Sequence, residues 1–199
     1  MTDLHTQERF ENTLARIDQA NQQDPNLESV DGVMQPKELI YGQRMSQQLA
    51  EFAPDASEVL QIAARAQHIQ RWQSPRDSYP KTRAGYLQWR RELGRFHAQQ
   101  AANIMAEAGY DEDTIARVKA LLTKSQLKQD PEVQTLEDVI CLVFIRYYLE
   151  EFAASQKSHE KLISIIQKTW AKMSPRGHEA ALALPLNAPL SKLIGEALA

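Results

Sequence analysis

The chain has 199 residues, of which 43% are apolar and 25% charged, with a formal net charge of -3. That length supports one domain with a sizeable core, and the near-neutral balance excludes a strong general pull on nucleic acid or an anionic membrane. The single cysteine, Cys141, excludes an internal disulfide framework, and its place in an apolar run predicts a buried, inert thiol.

The polar stretch from Met1 to Glu11 lacks the apolar core of a secretory signal. The longest apolar run, Val139 to Ile145, is far short of the ~20 residues that span a bilayer. The expected location is therefore cytoplasmic, with no membrane partner.

Helical spacing dominates the chain. Phe10, Leu14 and Ile17 define one face of a first helix. Residues 26–36 read as a loop with Asp31 and Gly32 at its turn, and Pro36 suits the first turn of a second helix. That helix runs to about Phe52 and buries Leu39, Ile40, Met45 and Leu49. Asp55, followed three residues later by Glu58, predicts the N-cap of a third helix reaching about Trp72. Pro75 and Pro80 bracket a turn. Thr82 caps a long fourth helix, and Gly109 ends it. Asp111 opens a fifth helix, ending near Lys124. Asp130 and Pro131 open a sixth, apolar on most sides, to about Phe152. Ser158 caps a seventh with Leu162, Ile165, Ile166 and Trp170. The stretch from Ser174 to Pro189 is broken by prolines and Gly177, and a last short helix follows from Leu190 to Leu198.

No strand alternation, internal repeat or glycine-rich phosphate loop is visible. The expectation is an all-α, compact, single-domain helical bundle of seven to eight helices. Residues 1–35 form an N-terminal helix and loop, 36–173 the helical core, and 174–199 a tail packed on it.

Charge is uneven. Between Arg65 and Gln100 lie eight basic residues against Asp77 and Glu92, so this segment is +6 and the remainder -9. Seven of the eight are arginines, whose planar fork suits phosphate. Arg83, Arg90 and His97 are spaced by seven and share a helix face, with Gly94 on the same stripe. His68 lies on the preceding helix, beside Arg71 and Trp72. Asp138 sits in an apolar helix, where a buried carboxylate needs a cation, a metal or several hydrogen bonds. A structural ion pair with an arginine satisfies it as well as a metal does.

The residues Ala64 to Trp72, Pro75-Arg76, Tyr79-Pro80, Gly85 to Leu87, Trp89-Arg90, Phe96 to Ala98, Lys124 and Leu136 to Asp138 resemble a bacterial and fungal protein family of unknown function. The likeness extends to Tyr41-Gly42, Arg44-Met45 and Lys168 through Ser174. Some members of that family carry a glutamyl-tRNA synthetase label. Lys172 to Ser174 is similar to part of a synthetase signature, but that signature needs an α/β scaffold with strands.

A weaker resemblance is to the HD-domain metal-dependent phosphohydrolases, carried by the apolar spacing of His97 through Ile104, Gly109, Ile115, Val118, Leu121 and Leu122. It implies an HD-domain-like fold, with His68 or His97 and Asp138 as ligands of a divalent metal. The chain departs from that pattern, because Ile69 follows His68 and Ala98 follows His97 where a His-Asp pair is required.

The first functional expectation is a phosphate-ester or nucleotide hydrolase. His68, His97 and Asp138 bind a divalent metal, and Asp138 and His97 take catalytic roles. Arg71, Arg76, Arg83, Tyr86, Arg90 and Lys124 hold a phosphorylated small molecule or nucleotide. The alternative is a non-catalytic binding module for a phosphorylated metabolite, nucleotide or RNA end, with Trp72, Tyr79, Tyr86 or Trp89 stacking on a base. Nucleic acid is the less favoured partner. A third reading is a scaffold whose arginines pair internally.

Overall fold

The computed structural model describes residues 4–156 and 158–199. Helix accounts for 72% of the chain, in ten helices among the described residues, so the class is all-α. No helix is long and apolar enough to cross a membrane. The chain divides into two compact units, one ending at Ser125 and the other starting at Gln126. That boundary falls inside the stretch 36–173 that the sequence reads as one core.

The first unit contains α1 (Leu4–Asn21), a hairpin of β1 (Leu27–Val30) and β2 (Val33–Pro36), then α2 (Lys37–Phe52), α3 (Glu58–Arg65), α4 (Arg83–Glu107) and α5 (Glu112–Leu122). The hairpin corrects the expected loop. Asp31 and Gly32 both have positive φ, 51° and 80°, and join two antiparallel strands through a two-residue turn. Four-residue strands are too short to show an alternation in sequence. Ile17, Met45, Leu49, Ile62, Ile69, Met105 and Leu121 are fully buried and form the core of this unit.

The caps of α4 and α5 follow the sequence. Thr82 accepts from the Gly85 N–H and Asp111 from the Thr114 N–H. Gly109, at φ 82°, ends α4. The third helix departs at both ends. Ser57, not Asp55, is its N-cap, and the helix stops at Arg65 rather than near Trp72. The chain then turns through residues 66–70. Gln70 sits in the left-handed region at φ 51° and ψ 33°, and its N–H donates to Asn21 Oδ1 at 2.9 Å. His68 therefore lies on a turn, not on a helix.

The second unit contains α6 (Pro131–Val143), α7 (Leu149–Ser155), α8 (His159–Trp170), α9 (Pro175–Leu182) and α10 (Ala188–Leu198). Asp130 and Ser158 cap α6 and α8 as expected. A five-residue π segment, Phe144–Tyr148, separates α6 from α7, where the sequence predicts one helix. One extra residue per turn is invisible to a 3.6-residue pattern. The tail holds a second uncounted helix: Ser174 caps α9, with Pro175 at its first position. These two features raise the expected count to ten. Cys141 is buried, at 3% exposure.

Candidate functional site

The sequence places His68 and His97 in one site, and the structure brings them together in the first unit, with ring centroids 5.9 Å apart. His97 projects from the middle of α4 and is 3% exposed. Its Nδ1 lies 2.8 Å from the Ile69 carbonyl oxygen. A carbonyl only accepts, so Nδ1 carries the proton and Nε2 of the neutral ring is an acceptor. Burial, then the neighbouring His68, push the His97 pKa down to about 3, so the ring is neutral at pH 7. Its Nε2 is buried without a hydrogen-bond partner.

His68 stacks on Tyr41, with centroids 3.8 Å apart and planes at 11°. Its Nδ1 is 3.2 Å from Glu38 Oε2. Burial first, then the positive charges of Arg71, Arg90, Lys124 and Lys37, hold its pKa well below the ordinary imidazole range. The same charges would attract an anion.

Glu38 is the residue that the sequence reading missed. It is 5% exposed, on the buried face of α2 that Tyr41 and Met45 continue at i+3 and i+7. Arg71 Nη1 approaches its Oε1 at 3.7 Å. Burial raises the Glu38 pKa, and Arg71 opposes that rise. A carboxylate at the head of an apolar stripe was the available signal.

Next to these imidazoles lies a cavity of about 430 Å³ between α4 and the end of α5. Gln67, His68 and His97 line its inner side. Arg90, Arg91 and Arg95 line it from α4, and Thr123, Lys124 and Ser125 from the end of α5. Gln67 Oε1 is a second buried acceptor without a partner. Among the described residues, Arg90, Arg91 and Arg95 meet no carboxylate at salt-bridge distance, whereas Arg65 pairs with Asp18 and Arg71 with Glu38. Internal pairing thus covers part of the arginine cluster and leaves the cavity's part uncovered.

Lys124 sits at φ 55°. The Ser125 N–H donates to the Ala120 carbonyl and the Lys124 N–H to the Leu121 carbonyl, both at 3.0 Å. These two bonds close a Schellman motif in which Lys124 holds the left-handed position that glycine usually fills. A lysine there costs about 1 kcal/mol of backbone strain.

The other expected site residues are placed elsewhere. Arg76 donates to the Tyr79 and Pro80 carbonyls at 2.9 Å each, which ties down the loop before α4. Gly85 is required beneath that loop, since a Cβ there would lie 2.3 Å from the Pro80 oxygen. Arg83 and Tyr86 are exposed on the first turns of α4 and do not line the cavity. Among the described residues no Phe, Tyr or Trp lines it, so the aromatic residues expected to stack on a base are not there.

Asp138 belongs to the second unit and is 2% exposed, as its apolar helix suggested. Its Oδ1 accepts from the Ser174 N–H at 2.8 Å and from Gln134 Nε2 at 3.2 Å, and its Oδ2 accepts from Ser174 Oγ at 2.6 Å. Ser174 Oγ in turn caps α9 by accepting from the Gly177 N–H. The neighbouring Glu137 takes Lys172 Nζ at 3.6 Å. Lys172 and Ser174, which resemble part of a synthetase signature, thus serve a helix start braced on Leu136–Asp138. Among the described residues, no group of three or more His, Cys, Asp or Glu is arranged to hold a metal ion.

An all-α protein with neutral histidines beneath an arginine-lined cavity is the class that fold and site define. The chain belongs to the family described as Domain of unknown function (DUF4202), whose profile matches residues 11–194. No curated protein and no solved structure matches the chain.

Proposed function

We propose that the first unit binds the phosphate group of a small phosphorylated molecule or nucleotide in the cavity between α4 and α5. The observation that supports this most is the set of Arg90, Arg91 and Arg95 around one cavity, with no carboxylate at salt-bridge distance among the described residues. Lys124 adds a fourth cation from the opposite wall, at a backbone position that is strained for lysine. Phosphate on such a rim gains charge-assisted, bidentate hydrogen bonds. The cavity volume lies within the range of small-ligand sites.

Calorimetric titration of the full chain with inorganic phosphate and phosphate esters, at two salt concentrations, tests the reading. Binding should weaken with added salt, and Arg90→Ala should weaken it at least about tenfold, the worth of one charge-assisted bond. Affinity unmoved by either change would refute the proposal.

Hydrolysis of the bound ester is a second reading, in line with an HD-domain-like arrangement and a divalent metal. One observation favours it: both histidines are held through Nδ1, His68 by Glu38 and His97 by a carbonyl. Metal-binding imidazoles are oriented in the same way, with Nε2 left for the ion. His68 and His97 would hold the metal, and its chemistry would be activation of water. Asp138 fits this set less well, since Ser174 and Gln134 already use its oxygens. Elemental analysis of wild type and His97→Ala after incubation with divalent ions separates the readings. Stoichiometric metal lost in the variant supports the hydrolase, and none supports binding alone.

A further inference from the structure

The cavity has two chemically different sides. Its rim carries four cations, Arg90, Arg91, Arg95 and Lys124, whose side chains offer only N–H groups. On its inner side His97 and Gln67, 3% and 7% exposed, each carry a buried acceptor, Nε2 and Oε1, that has no hydrogen-bond partner among the described residues. Buried acceptors are normally satisfied, and an unmet one in a cavity calls for a donor from the occupant. The His97 tautomer is fixed by the Ile69 carbonyl, so Nε2 cannot switch to donating. The donor must be uncharged, because a cation would enter against Arg71, Arg90, Lys124 and Lys37, the charges that already disfavour a proton on His68.

We infer that the ligand is a hydroxyl-bearing phosphate ester, a phosphorylated sugar or polyol, with its phosphate on the arginine rim and its hydroxyl groups donating to Gln67 Oε1 and His97 Nε2. This rests on the phosphate reading above and narrows it. A nucleobase amine is the other neutral donor of comparable reach. The cavity favours the sugar, since Leu93 and Leu122 are its apolar residues and no Phe, Tyr or Trp offers a face to a base. The two acceptors then discriminate among esters that the rim alone would hold equally.

The test is calorimetry of the full chain with four probes: methyl phosphate, ribose 5-phosphate, 2-deoxyribose 5-phosphate and adenosine monophosphate. Ribose 5-phosphate should bind at least about tenfold more tightly than methyl phosphate, because its hydroxyls meet acceptors that the shorter ligand does not reach. Gln67→Met, of similar volume but without a strong acceptor, should shrink that difference by weakening ribose 5-phosphate, with His97 Nε2 left as the remaining acceptor. The deoxy probe tests the hydroxyls without altering the protein, and should fall between the other two if Gln67→Met does not fold. Equal affinity for methyl phosphate and ribose 5-phosphate overturns the inference and leaves the phosphate reading standing. Binding of none of the probes overturns both. Adenosine monophosphate tighter than ribose 5-phosphate, by a margin that Gln67→Met removes, overturns the hydroxyl assignment in favour of the base.

Discussion

The Nδ1 atom of His97 lies 2.8 Å from the carbonyl oxygen of Ile69, across the space between α4 and the turn that follows α3. This bond fixes the tautomer and holds the turn that carries His68 against α4, while burial, which outweighs it, makes the ring cost stability if it is charged. Its folded pKa of about 3 lies below the ordinary 6.5. Between those values the unfolded chain binds more protons, so stability falls as pH drops from about 6.5 towards 3 and is fully present above 6.5. His97→Asn keeps an N–H near the Nδ1 position and removes the titration. Denaturant unfolding at pH 7 and pH 4.5 should show a smaller acid loss in the variant than in the wild type. An equal loss would mean that His97 does not carry it.

Lys124 makes a sharper prediction, because its two roles pull in opposite directions. Its left-handed backbone is strained for lysine and unstrained for glycine. Lys124→Gly should therefore raise stability by up to about 1 kcal/mol, read as a shift of the denaturant midpoint. The same change removes a cavity cation and should weaken phosphate binding severalfold. A variant that is more stable and binds as well as wild type would show that the lysine side chain is not used there.

The sequence made most helix starts legible, because Thr82, Asp111, Asp130 and Ser158 are short polar residues ahead of apolar periodicity, and each accepts from the backbone as expected. It grouped His68, His97, Arg90 and Lys124, which line the cavity, with Arg71, Arg76, Arg83 and Tyr86, which do not. It hid the end of α3, because no glycine or proline marks Gln70 and its strained turn is held by Asn21, 49 residues away. It hid Glu38 for the same kind of reason: the partners of a buried carboxylate, His68 and Arg71, are tertiary neighbours. Residue type alone points Arg76 towards a phosphate, whereas its partners are the carbonyls of Tyr79 and Pro80, whose direction no composition reveals.

Asp138 and Gly177 test the structural reading of the second unit. A Cβ on Gly177 would stand 2.6 Å from Asp138 Oδ1, so the glycine exists for close approach to that carboxylate. Gly177→Ala should destabilise by about 1 to 3 kcal/mol, the usual cost of overpacking. Asp138→Ala leaves the Ser174 N–H unmet and should cost a similar amount or more. Calorimetric unfolding measures both. Full stability of Asp138→Ala, with loss of a bound metal, would return Asp138 to a ligand role.

Gly94 separates packing from binding. It lies in mid-α4 and lines the cavity, and helix packing is the ordinary reason for a glycine there. Yet a Cβ at this position would meet only the Leu122 carbonyl oxygen, at an ordinary 3.6 Å. Packing therefore tolerates alanine, and the gain in helix propensity is about 1 kcal/mol. The methyl group would stand at the cavity wall between Arg90 and His97, where the proposed ester must pass from rim to floor. Gly94→Ala should raise the unfolding midpoint and weaken binding of ribose 5-phosphate more than that of inorganic phosphate, which needs only the rim. Raised stability with unchanged affinity for both would mean that the ligand does not reach past Arg90. A loss of stability would mean that α4 and α5 pack more closely at Gly94 than the Leu122 contact indicates.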